Sequence, residues 1–366
     1  MKIVLGSTIF FLAKTRKVRK MKLVTYSWNG LGNIGDDWIA KTIRENLKGK
    51  GIESSRITEP SSLDVEAVSG DLQWVRFSKN LISVLKLRRS LREFDGMLFA
   101  GGGWFAGDQN LRNSIMWLLR VMICPIPIYT IGIGVGPFTN RYQILIFRLI
   151  SKRLSNFDVR HISDATHLPS LGISEFTVSH DLTFLELVNP IIRQVVAREI
   201  CLVVLPSWAK HRSKTSLQDL GMKIRKNLDS FGIVESEIYF VSFQMSPFDD
   251  YLAWSEIFPN RLIAENIAEM AQIFSRAKYV VAGRLHAGLA AFNFAVPNVA
   301  MIPYHGKFQI LEDMGIYIPE NDEELVRFVT PNYSEFEDRQ FSMIECFELI
   351  TRRIYKDTVK QVSIEN

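Results

Sequence analysis

Short apolar runs alternate along the chain with longer stretches whose apolar positions recur at helical spacing. The first kind suits buried strands and the second amphipathic helices. Strands are predicted at 22–28, 96–100, 126–133, 200–205, 237–243, 279–282 and 297–302, with shorter ones at 159–163 and 175–179. Helices are predicted from the Asn33 region through about Leu47, over 78–93, 110–122, 141–155, 216–230 and 261–276, and from about residues 286, 307 and 335 onward. Within 261–276, Ile263, Ile267, Met270 and Phe274 fall on one helical face.

Strands alternating with amphipathic helices predict an α/β protein with parallel sheets. The alternation breaks near 187–199, where Asn189-Pro190 interrupts it, and then starts again. The expected organisation is a leading extension (1–20), an N-terminal Rossmann-like domain (21–190), a C-terminal Rossmann-like domain (195–334) and a closing helical segment (335–366). That segment is expected to pack back on the first domain. Two such sheets in series put a cleft between the carboxyl ends of their strands, where open α/β sheets bind ligands.

Charge changes this picture only at one end. Lys2, Lys14, Arg16, Lys17, Arg19 and Lys20 have no acidic counterpart within 1–20, and without them the formal charge of +5 becomes −1. The near-neutral body does not suggest a nucleic-acid surface. The apolar run Ile3 to Ala13 is too short for a helix crossing a ~30 Å hydrocarbon core. Most of its positive charge follows the apolar run, unlike a secretory signal. The segment reads either as an extension ahead of a natural start at Met21, or as a weak peripheral anchor on an anionic membrane face. Cys124, Cys201 and Cys346 are widely spaced and form neither a disulfide framework nor a metal motif. Cys124 and Cys201 are expected in the core, and a cytoplasmic location is expected, at the inner membrane face if the leader anchors there.

The candidate chemistry lies at predicted strand ends. Asn29 to Asp37 is glycine-rich, follows a strand and opens a helix, so Gly32, Asn33, Gly35 and Asp36 are candidate substrate contacts. Asp36 is also a candidate helix cap. The spacing matches neither the dinucleotide fingerprint nor the phosphate-binding P-loop. Gly101-Gly102-Gly103-Trp104 ends the next strand, offering Gly102, Gly103 and a tryptophan that either stacks on a sugar face or covers the turn as a core residue. Gly132 and Gly134 lie in a similar turn, and close helix–strand packing explains Gly132 equally well. Arg284-Leu285-His286 is the sharpest feature: a strand runs into Gly283, and Arg and His flank one apolar residue, pointing the same way if the strand continues. Arg284 is the expected anion clamp and His286 the expected acid–base group. His305 and Lys307 at the next strand end, and Lys210 and Arg212 after the first strand of the second half, are either further candidate cations or members of solvated loops.

Taken in order, Gly32-Asn33-Ile34-Gly35-Asp36-Asp37, Ala100-Gly101-Gly102-Gly103, Ile131 to Pro137, Asp181 with Phe184-Leu185, and Gly283-Arg284-Leu285-His286-Ala287 with Tyr304 to Phe308 resemble the motifs of polysaccharide pyruvyl transferases. The resemblance runs from about Met21 to Phe308. It implies a fold like GT-B glycosyltransferases, phosphoenolpyruvate as co-substrate, no cofactor or metal, and a hexose acceptor in a lipid-linked or growing polysaccharide. The product would be a pyruvate ketal. One position departs: the family usually has Arg before the Asp at 164, and this chain has Ser163. Two rival readings share the fold: a glycosyltransferase using a nucleotide sugar, and a non-catalytic scaffold of the same pathway.

Overall fold

The computed structural model describes residues 20–27, 33–58, 72–73, 81–105, 111–136, 138, 140–186, 198–207, 214–245, 249–302, 309–317 and 325–364. The first half is built on a parallel sheet of β1 (Lys22–Tyr26), β2 (Glu53–Thr58), β3 (Leu72–Gln73), β4 (Gly96–Ala100) and β6 (Ile128–Ile131), ordered β3-β2-β1-β4-β6. Beyond its edge, β5 (Gly103–Phe105) pairs with β7 (Gly134–Val135), and β8 (Asp158–Val159) with β9 (Thr177–Val178). The second half repeats the plan with β10 (Ile200–Val204), β11 (Ile238–Val241), β12 (Arg261–Leu262), β13 (Ala277–Ala282) and β14 (Asn298–Met301), ordered β12-β11-β10-β13-β14.

Both sheets are parallel, and helices flank them, several returning the chain from one strand to the start of the next. In the first half these are α1 (Ile34–Gly49), α2 (Leu81–Leu91), α3 (Leu111–Ile123), α4 (Arg141–Ser151) and the short α5 (Ile162–Ala165). In the second they are α6 (Lys214–Ser230), α7 (Asp250–Trp254), α8 (Ile267–Ser275), α9 (Leu285–Asn293), α10 (Gln309–Glu312) and the long α11 (Tyr333–Ile364). One apolar cluster on the first sheet gathers residues of α2, α3 and α4. A second joins α1, the turn at Leu182–Leu185, α8, α9 and α11, and so passes through both halves. A third covers the outer face of the second sheet with α6 and α7.

The strand order reverses direction between β1 and β4, and again between β10 and β13. Open α/β sheets form their ligand crevice at such points. The exits of β1 and β4 carry the first two glycine-rich turns, and the exit of β13 carries Arg284 and His286.

Two predicted elements needed correction. The strand expected at 159–163 ends at Val159, and α5 begins at Ile162, because the His161 side chain accepts the Ser163 N–H and caps a helical turn. The helix expected over 261–276 starts only at Ile267: Asn266 caps it through the Glu269 N–H, and Ile263 is exposed rather than part of the apolar face. Cys124 and Cys201 are buried, and burial pushes their thiols up to about 11 and about 12. The break expected at 187–199 falls largely outside the described residues.

The helix α11 returns to the first half. Phe336 lies between Phe184 of that half and Phe292 of α9, with ring centroids 5.0 and 6.1 Å away. Tyr129 donates to Asp357 at 3.1 Å, and the Cys346 thiol reaches the Asp158 carboxylate at 3.4 Å. Because Phe336 fills space between elements of both halves, Phe336→Ala should lower the free energy of unfolding by about 3–5 kcal/mol. Chemical denaturation reads this; a loss below about 1 kcal/mol would show that α11 is not a structural bridge.

Candidate active site

The N-terminus of α1 meets the second half directly. Asn33 caps the helix, accepting the Gly35 N–H at 3.1 Å, and bridges to Gln244 across the seam. The Ile34 N–H donates to the Phe243 carbonyl at 2.9 Å. Asp36, expected as a candidate cap, is not the cap: it sits in the first turn, where the partial positive charge of the helix end faces it.

Arg284 is the residue before α9, in extended conformation, and its carbonyl receives the N–H groups of Ala287 and Gly288. Its guanidinium is a two-pronged partner of Asp250, Nε to Oδ2 at 2.9 Å and one terminal nitrogen to Oδ1 at 2.7 Å. Asp250 is fully buried and also accepts the N–H of Ser207 at 2.7 Å and of Gln244 at 3.0 Å. One carboxylate thus ties together the exits of β10, β11 and β13. Two nitrogens of the Arg284 guanidinium are thus committed to holding the loops around it.

His286 takes a different direction from Arg284, because it lies one residue into a helix rather than two along a strand. Its ring packs against Gly35. A Cβ at Gly35 would lie 2.1 Å from Nδ1, so only glycine leaves room for the imidazole. Its Nε2 faces Asp181 Oδ2 at 3.6 Å, with Arg160 on the other side of that oxygen at 3.7 Å. These spacings are longer than direct hydrogen bonds, so the groups influence one another through space rather than by hydrogen bonding. The other Asp181 oxygen accepts the Thr183 N–H at 3.1 Å and its hydroxyl at 3.0 Å. Burial alone would raise the Asp181 carboxyl. His286, Arg160 and the Thr183 N–H more than offset it and hold the group well below the usual carboxylate range.

Asp36 behaves oppositely. Burial pushes its carboxyl up to about 6, with His286 and Arg284 opposing the rise and Asp37 and Asp181 adding to it. Two carboxyls near one imidazole therefore differ in proton affinity, the pattern of paired acid–base sites. The residues come from both halves: Asp36, Arg160 and Asp181 from the first, Arg284 and His286 from the second.

The remaining candidates divide. Gly101 and Gly102 have φ of 59° and 75°, a left-handed region that favours glycine. Gly103 opens β5, and the Gly134 N–H donates to the Gly102 carbonyl at 2.7 Å. A Cβ at Gly134 would lie 2.9 Å from the Arg160 guanidinium, so the space expected for substrate there is filled by an arginine. Gly132 has φ of 57° and its Cβ would lie 2.8 Å from the His180 carbonyl, which supports the packing explanation for that residue. Gly32, the Trp104 side chain, Lys210, Arg212, His305 and Lys307 lie outside the described residues.

Sequence reasoning missed Arg160 and Asp250 and quoted Asp181 only as part of a motif. Arg160 follows a two-residue strand and carries no local signal. Ser163, the departing position, bonds His161 Nδ1 at 2.7 Å, and His161 Nε2 reaches Asp313 at 2.7 Å, linking the two halves again.

The polysaccharide pyruvyl transferase family model matches residues 33–306, spanning these elements. The chain belongs to the polysaccharide pyruvyl transferase family. Membership makes it a transferase with a sugar acceptor. No curated protein matches it in sequence. Among solved structures, it is similar to UDP-GlcNAc 2-epimerase from Methanocaldococcus jannaschii, with a TM-score of 0.57, 14% identity, and coverage of 91% of this chain and 100% of that one. It is also similar to S. aureus MnaA in a co-structure with UDP, with a TM-score of 0.52, 13% identity, and coverage of 92% and 90%. At these identities the likeness is one of fold, and the fold is GT-B-like.

Two predictions follow from this geometry. Gly35→Ala should displace the imidazole and slow transfer about 100-fold with the fold retained; steady-state rates and far-ultraviolet circular dichroism check it. Asp36 holds its proton more tightly in the native state than in the unfolded chain, so native stability is lost as pH rises from its usual 3.8 towards 6. Asp36→Asn should therefore be more stable than the parent above pH 6, by about 1–3 kcal/mol, with the difference closing towards pH 4. Thermal unfolding across that range would refute this if the difference grew on acidification.

Proposed function

We propose that this transferase moves a pyruvyl group from phosphoenolpyruvate to a hexose of a cell-surface or exopolysaccharide precursor, forming a cyclic ketal. The observation that carries the reading is the placement of His286 between Gly35 and Asp181, with Asp36, Arg284 and Arg160 around it, at the switch points of two facing sheets. Ketal formation needs a proton delivered to the methylene carbon, an electrophilic adjacent carbon, and cations for a carboxylate and a phosphate. One acceptor hydroxyl adds to that carbon and the phosphate departs with the electron pair of its C–O bond. A second hydroxyl then closes the ring. One of the two hydroxyl protons balances the proton placed on carbon, and the other leaves with phosphate.

His286 is the acid–base group in this scheme, with Asp181 below it orienting the ring. Asp36, with its raised affinity for protons, is a second group able to hold one near neutral pH. Arg284 presents the remaining edge of its fork, locked in direction by Asp250. Arg160 supplies a guanidinium three residues before Ser163, and so offers a cation where the family pattern led to the expectation of arginine. Lys307, Lys210 and Arg212 are further candidate cations, and no cofactor is invoked. The reaction's protein chemistry is positioning, electrostatics and proton transfer.

The test is incubation of the protein with phosphoenolpyruvate and lipid-linked glycans, with mass measurement of the product. The expected outcome is a pyruvyl ketal on the acceptor and release of inorganic phosphate, reduced by about 100-fold or more in His286→Ala. Transfer of a sugar from a nucleotide sugar instead, or an undiminished rate in His286→Ala, would overturn the proposal.

A further inference from the structure

The helices α3 and α4 pack side by side on the same face of the first sheet. On α3, Leu111, Ile115, Leu119 and Met122 follow helical spacing and all are exposed, Met122 by 55%. The opposite face, with Ser114, Trp117 and Val121, is buried. On α4, Leu145 and Leu149 are exposed, Leu145 by 59%, and share a stripe with the exposed Arg141 and Lys152 at the two ends of the helix. The inward residues Ile146, Phe147 and Ile150 are buried. Both outer stripes therefore lie on one surface, away from the sheet. Single exposed leucines are ordinary, but two adjacent helices presenting leucine, isoleucine and methionine outward are not.

The charge around this surface is one-sided. From Gln109 to Phe157 the chain contains no aspartate or glutamate, while it contains Arg112, Arg120, Arg141, Arg148, Lys152 and Arg153. Arg148 and Arg153 also bond backbone carbonyls, whereas Arg112, Arg141 and Lys152 are exposed beside the stripes. Asp158, which ends the acid-free stretch, is fully buried.

We propose that α3 and α4 form a docking face for an anionic lipid surface, with the apolar stripes entering the interfacial layer and the arginines and lysine meeting lipid phosphates. An apolar face bordered by cations and free of acids suits that surface. A second copy of the chain fits poorly, because two such faces would repel each other. The α3 helix follows β5 in the chain, on the side of the first sheet whose strand ends carry the glycine-rich turns. No helix among the described residues is long and apolar enough to cross a membrane, so the contact is peripheral. The inference does not rest on the pyruvyl-transfer reading, and its test needs no substrate.

The test is co-sedimentation of the full chain with vesicles of phosphatidylglycerol in phosphatidylcholine and with vesicles of phosphatidylcholine alone. Binding is expected on the anionic vesicles only, weakening as salt rises. The triple variant Met122→Glu, Leu145→Glu, Leu149→Glu should lose about tenfold or more in vesicle affinity. Leu252→Glu, an exposed position on α7, should bind like the parent. If the triple variant unfolds, Arg141→Glu with Lys152→Glu probes the electrostatic half and should give a similar loss. The proposal is overturned if the parent ignores anionic vesicles or if the folded variants bind as well as the parent. Binding lost only on replacing the basic residues at 14–20 also overturns it. So does a parent dimer that the triple variant dissociates without any vesicle binding.

Discussion

The buried Asp181 carboxylate is the constraint around which the two halves are arranged. Removing a carboxylate from water is costly unless charge and hydrogen bonds replace the solvent. Here Thr183 supplies two hydrogen bonds, Arg160 approaches from the first half and His286 from the second. His286 contributes to stabilising the ionised carboxylate only while α9 is docked against the first half. The site and the closed arrangement of the halves are therefore one electrostatic problem. Asp250 does the same within the second half, where it fixes three strand exits and the direction of Arg284.

Glycine has two distinct uses around that centre. At Gly101 and Gly102 the backbone takes a conformation that a side chain would strain. At Gly35 and Gly134 the conformation is ordinary, and what matters is the missing Cβ, whose place is taken by His286 and Arg160. The glycine positions thus admit the protein's own side chains, His286 and Arg160. That changes how the strand-end motifs are understood. They are sockets for side chains of the protein as well as candidate surfaces for a ligand.

The repeated strand order in the two halves explains why such a site forms between them. Each sheet leaves a crevice where its order reverses, and facing the two crevices brings loops from distant parts of the chain together. The shared apolar cluster through α1, α9 and α11 holds this facing arrangement, and Phe336 touches aromatic rings of both halves. Solved UDP-GlcNAc 2-epimerases share the architecture at low identity. The fold therefore defines where chemistry occurs, and the side chains define which chemistry it is.

The alternation of apolar runs and amphipathic stretches was enough to place most strands and helices and to identify an α/β chain, because burial on both faces of a parallel sheet leaves a strong local pattern. The order of strand-end motifs carried the family, and Arg284 and His286 stood out because cationic groups flanked a strand exit. Caps were harder to see: Asn266 moved a helix start past Ile263, and His161 turned an expected strand into α5. Tertiary structure alone decided that Arg284 is bound to Asp250, that His286 faces Gly35 and Asp181, and that Arg160 fills the space at Gly134. Those pairings join residues as far apart as Gly35 and His286, and no local pattern records a contact made across two sheets. The contrast in proton affinity between Asp36 and Asp181 belongs to the same class, since burial and neighbouring charge exist only once the halves are packed together.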